Sequence, residues 1–202
     1  MKHTVSALAL SALLAVPTLA NAVVISANYT VNVNGSDPGL VVNQHEIAAN
    51  PFTYDLAVGD SVTFDLFKIW TNESDVGSDD KVPQAISVDF SFLLPSIFGG
   101  SLGGVTVGGT WGWFDATQWG EVRWGDPLEL TYGAANDGLI IIDLSDEKFN
   151  EGLFGLHEGK KHGAKVEATI TLVREASSVP EPASLALLGL GMLGLGLRRR
   201  LQ

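Results

Sequence analysis

Five stretches of this chain alternate apolar and polar side chains residue by residue, and a period of two is what a half-buried β-strand requires. Ile25, Ala27, Tyr29, Val31 and Val33 alternate with Ser26, Asn28, Thr30 and Asn32. The same rhythm runs through Val62–Leu66, Ile86–Phe92, Leu128–Tyr132 and Val166–Leu172. Asn34-Gly35, Val58-Gly59-Asp60 and Asn136-Asp137-Gly138 stand between such runs, where a tight bend or a positive φ is needed. Asn50-Pro51 and Gly125-Asp126-Pro127 mark further breaks. Leu139–Ile142 is apolar throughout, which predicts a central strand covered on both faces. Between residues 23 and 177 no segment carries a 3.6-residue period, and at most Asp146–Asn150 closes one helical turn. The expectation is an all-β domain over 23–177, an antiparallel β-sandwich of jelly-roll-like build whose last strand ends near Arg174.

The two ends of the chain break this pattern. Residues 1–22 open with Met1-Lys2-His3, run apolar from Val5 to Val16, and close on Pro17 and Ala20-Asn21-Ala22. A basic start, an apolar stretch and a small-x-small exit make a cleavable signal peptide, expected as a short helix handled by the Sec translocon. The apolar run of 12 residues is too short to cross a bilayer, which takes ~20. The chain has no cysteine, so the exported domain folds without disulfides and has no thiolate chemistry.

At the other end Val179-Pro180-Glu181-Pro182 precedes an apolar, glycine-rich run from Ala183 to Leu197, followed by Arg198-Arg199-Arg200. The two prolines stiffen the joint and disfavour helix just before them. Ala183, Leu185, Leu188, Leu190, Leu193 and Leu197 then fall in one segment that would rise about 22 Å as a helix, a short membrane span at best. The arginines should stay cytoplasmic and leave the domain on the outer side of the inner membrane. This tail, residues 178–202, resembles the PEP-CTERM sorting signal of exosortase substrates. The resemblance implies transient anchoring in the inner membrane, processing by an exosortase near the Pro-Glu-Pro triplet, and delivery to the cell surface or extracellular matrix.

Eight basic against twenty-two acidic residues between 23 and 177 leave that region at −14. So strong an acidic excess excludes nucleic acid as a partner and disfavours anionic lipid. Four of the acids, Glu73, Asp75, Asp79 and Asp80, share one short loop. They make either a solvated loop or a weak calcium site, since calcium takes several carboxylate oxygens; no other cofactor is expected. Trp111, Trp113, Trp119 and Trp124 fall within fourteen residues. They are either core or a platform on which sugar rings stack, with Trp111, Trp113 and Trp119 as the ligand-binding candidates and Trp111 and Trp113 on one strand face.

Two catalytic patterns are weaker. Gly99-Gly100-Ser101-Leu102-Gly103 fits the G-x-S-x-G nucleophile elbow, with Asp143 and His157 following in hydrolase order. No helix follows it, and a glycine-rich connection between strands is the expectation. His157-Glu158-Gly159-Lys160-Lys161-His162 is one residue too long for a zincin pair, and a charged hairpin loop is expected there. The expected function is that of a non-enzymatic envelope or matrix protein, associated with exopolysaccharide as the resemblance implies. The alternatives are a carbohydrate-binding module using the Trp-rich face, aided by calcium, and a hydrolase.

Overall fold

The structure, a computed structural model, describes residues 22–97 and 99–177. The expected signal peptide up to residue 21, the sorting residues Val179–Pro182 and the expected anchor helix up to Arg200 lie outside the described residues. Eleven strands form two antiparallel sheets. In chain order they are β1 (Val23–Asn32), β2 (Asn43–Glu46), β3 (Phe52–Leu56), β4 (Ser61–Trp70), β5 (Gln84–Leu94) and β6 (Gly100–Trp111), then β7 (Thr117–Trp124), β8 (Leu128–Tyr132), β9 (Gly138–Leu144), β10 (Glu147–Leu153) and β11 (Ala164–Arg174). The six-stranded sheet runs β10-β7-β6-β5-β1-β3, and the five-stranded sheet runs β2-β4-β11-β9-β8.

Alternation decides which side chains meet between the sheets. Ile25, Ala27, Tyr29 and Val31 of β1 are buried, as are Ile86, Val88 and Phe90 of β5 and Val166, Ala168, Ile170 and Leu172 of β11. These inward rows join one apolar cluster that draws on both sheets. Tyr29 ties the layers together: its hydroxyl donates to the carbonyls of Ala48 (3.1 Å) and Leu66 (3.0 Å). Burial pushes its pKa up to about 12, so the phenol stays a donor.

Three expectations change. The glycine-rich text after Gly99 is no loose connection but β6, twelve residues long. Its glycines make room for rings from β7: a Cβ on Gly104 would meet Trp124, and one on Gly109 would lie 2.4 Å from the Trp119 indole. A strand can keep such glycines when aromatic neighbours fill the space they leave. Asp146–Asn150 forms no helical turn; residues from Glu147 on pair with β7, and Phe149 packs over Gly120 in the core. Finally, β9 stands next to the edge strand β8, and its outward residues Leu139 and Ile141 are only half-buried. Its unbroken apolar text therefore covers one core face and one partly open face.

The ends of the sheets sort the loops. The turn after β3 bonds to β11, with Gly59 donating to the Leu172 carbonyl (2.8 Å). Val23 pairs with Leu56 beside that turn. The backbone N–H of Ser177 donates to Asp137 (3.1 Å), in the turn between β8 and β9. The chain thus enters β1 and leaves β11 at the same end of the sheets. The β6–β7 connection and the segment after β10 occupy the opposite end.

Candidate functional site at the aromatic end

Trp111 closes β6, and Gly112, at φ 92°, turns the chain into a single 3₁₀ turn over Trp113–Asp115. Phe114 (φ 57°) and Asp115 (φ 53°) hold left-handed backbone, which bulky side chains rarely adopt. Phe154 does the same after β10 (φ 58°), and its N–H donates to the Ala116 carbonyl at 2.7 Å. The two connections are thereby locked together. They present Trp113 (88% exposed), Phe114 (95%) and Phe154 (81%), flanked by Trp111 and Leu153. Five large apolar groups at one tip are more than scattered exposure accounts for, and such patches mark interaction sites. Strained backbone beneath them costs about 1–3 kcal/mol per residue, a cost tolerated where the surroundings enforce it.

Across the sheet, Thr117 pairs with Trp111 on one side and Leu153 on the other. Thr117, Glu151, Gly152, Leu153 and His157 line a cleft of about 320 Å³ at the β10 edge. The tip therefore combines rings with a hydroxyl, a carboxylate and an imidazole. Lys81 bridges Asp115 at 3.3 Å on the loop's flank.

Asn150 sets the course of the cleft wall, and nothing in the sequence singled it out. It is fully buried at φ 54°. Its Oδ1 accepts the Thr71 N–H (2.9 Å), and its Nδ2 faces the carbonyls of Thr71, His157 and Gly159. An Asn tolerates left-handed backbone and saturates local backbone groups, and that pairing of properties was the only available signal. The segment it holds crosses from β10 to β11, between sheets, so the charged stretch His157–His162 is no hairpin loop. It brings the two imidazole rings to 5.1 Å.

The tryptophans divide by environment. Trp111 and Trp113 are exposed but share no strand, because Trp113 lies in the 3₁₀ turn. Trp119 is half-buried on the outer face above Gly109, with Lys148 Nζ 4.1 Å from its ring centre. Trp124 belongs to the core margin: it meets Phe67 edge-on at 6.3 Å and donates Nε1–H to the Ser145 carbonyl (3.0 Å).

The four loop acids act largely as acceptors for backbone. Glu73 accepts from Val41 N–H (2.8 Å), Asp79 from Gly39 (3.3 Å) and Asp80 from Gly77 (2.7 Å), while Asp75 takes the Ser74 hydroxyl (3.3 Å). Among the described residues no three of His, Asp or Glu are placed to share a metal ion. Burial raises the Glu73 pKa above the usual carboxylate range; the Val41 N–H opposes this and the Asp80 carboxylate adds to it. Ser101 stands inside β6 opposite Asp89, where no strand-to-helix elbow exists.

The family model described as the PEP-CTERM protein-sorting motif matches residues 178–200. No curated protein and no solved structure matches the chain. The motif supports an exported protein sorted by an exosortase, its C-terminus held in the membrane before processing. Among the described residues no helix is long and apolar enough to cross a membrane.

Proposed function

We propose that this is a non-enzymatic protein of the cell envelope or extracellular matrix, delivered by exosortase processing of its C-terminal tail and associated with exopolysaccharide. The observation that carries the reading is the sorting motif over residues 178–200. It accounts for the stiff Pro180-Glu181-Pro182 joint, the apolar segment behind it and the terminal arginines in one device. The acidic domain ahead of it suits a soluble body kept apart from anionic surfaces. Mass spectrometry of the mature C-terminus tests the reading. Cells with exosortase should yield a chain that ends near the Pro-Glu-Pro triplet, and cells without it should keep Arg198–Gln202. An intact C-terminus in both would overturn it.

A second reading is favoured by the exposure of Trp111 and Trp113: the domain binds carbohydrate directly. Indoles left in solvent forgo the stabilisation that burial would bring, and their retention at one tip points to a ligand with apolar faces.

A further inference from the structure

We infer that the tip of the sandwich is a binding site for a neutral polysaccharide chain, with the cleft at the β10 edge taking the sugar hydroxyls and Trp111, Trp113 and Phe114 taking the ring faces. This rests on the matrix association proposed above and assigns it a surface. Three observations select this occupant.

The first is chemical. A pyranose has apolar C–H faces and an equatorial belt of hydroxyls, so it wants rings beside mixed donors and acceptors. The tip has both: Thr117, Glu151 and His157 line a cleft of about 320 Å³, Trp111 pairs with Thr117, and the exposed Trp113 and Phe114 lie in the connection between those two residues. A cavity of that size lies at the lower end of the range for small-ligand sites.

The second is electrostatic. The region 23–177 carries −14, so a second copy of this chain, an anionic lipid surface and an acidic polymer are all repelled. An uncharged polymer is not.

The third is positional. Val23 and Ser177, next to the two ends of the described chain, lie at the end of the sheets opposite this tip. Twelve residues of β6 span the distance between the ends, about 40 Å at ~3.3 Å per residue. The tip is thus the part of the domain farthest from the tail, left clear of it both before processing and after. The left-handed backbone at Phe114 and Phe154 keeps the rings displayed before any ligand arrives, which spares the ligand the cost of ordering them.

The test uses the processed protein purified from exosortase-positive cells. Its probes are the neutral and acidic exopolysaccharide fractions of those cells, separated by anion exchange, and phosphatidylethanolamine vesicles. The neutral fraction should retard the protein in affinity electrophoresis and shift its tryptophan emission. A Trp111→Ala/Trp113→Ala double variant should lose at least about tenfold in affinity with an unchanged melting temperature, since both indoles are exposed. A Glu151→Gln variant should weaken binding through the cleft alone. Binding that survives the double variant, binding confined to the acidic fraction or to vesicles, or no binding at all would overturn the inference. Co-fractionation with matrix in cells separates the two proposals. If the double variant still co-fractionates, the tip assignment falls and matrix association stands; if the unaltered protein does not co-fractionate, matrix association falls.

Discussion

Glu73 has a carboxylate that hydrogen-bonds to backbone while sitting in a place that disfavours its charge. Its Oε1 accepts the Val41 N–H and so pins the segment after β1 to the acidic loop. Burial nevertheless dominates, and the folded pKa lies above the ordinary 4.5. The native state therefore holds this proton more tightly than the unfolded chain does. The group's contribution is best below pH 4.5, falls as pH rises from there to the folded pKa, and is level above it. Glu73→Gln removes this penalty while leaving an amide oxygen for Val41. The variant's melting temperature relative to the unaltered protein should rise with pH from about 4.5 and then plateau, as measured by thermal unfolding between about pH 4 and pH 8. A difference that does not vary with pH would contradict the assignment. The acids of this loop were visible in the sequence as a cluster. Their roles were not, because a carboxylate's partner here is a backbone amide up to 40 residues away, and backbone amides carry no sequence signature.

At the scale of the element, the strands with clean alternation were legible and those built from exceptions were not. β1, β5, β8 and β11 appear where polar and apolar residues alternate. β6 was hidden because its glycines carry no side chain to alternate, and only the rings of Trp119 and Trp124 beside them make the strand whole. β10 was hidden by the Asn150 bulge, where the register with β7 shifts between Phe149 and Gly152. That bulge also fixes the connection to β11. Asn150→Ala would leave the buried Thr71 N–H without its acceptor and free three carbonyls. It would also place a Cβ-bearing residue without a compensating side-chain bond at φ 54°. A loss of about 2–4 kcal/mol follows from the orphaned donor and the backbone strain together, measured by chemical denaturation. Asn150→Gly should recover only the strain. A loss under about 0.5 kcal/mol in Asn150→Ala, within the range of a bland surface change, would refute the hub.

For the whole molecule, charge is the property that composition reveals and that the fold leaves uncompensated. Among the described residues three ion pairs form, Lys81–Asp115, Arg123–Glu121 and Lys165–Asp65, each with an exposed cation, while Glu121 and Asp65 are half-buried. Such pairs are worth little, and three of them do not balance twenty-two acids. Self-repulsion should therefore oppose compaction. Raising sodium chloride from about 10 to 150 mM shortens the screening length from ~30 to ~8 Å. The melting temperature should climb by a few degrees over that range; a flat or falling curve would mean that the acids are locally neutralised.

The amino-acid sequence alone determined the β class, the acidity of the chain between residues 23 and 177 and the sorting signal behind it. Each of these depends on residue type and on neighbours within a few positions, as period-two burial, net charge and a contiguous apolar tail do. Tertiary structure alone decided which tryptophans are core and which are surface, that the β6–β7 and post-β10 connections meet at one tip, and that Val23 and Ser177, next to the ends of the described residues, lie at the other. Those outcomes come from pairings such as Thr117 with Leu153, 36 residues apart, and separation of that kind is set by strand order and register, which no local pattern encodes.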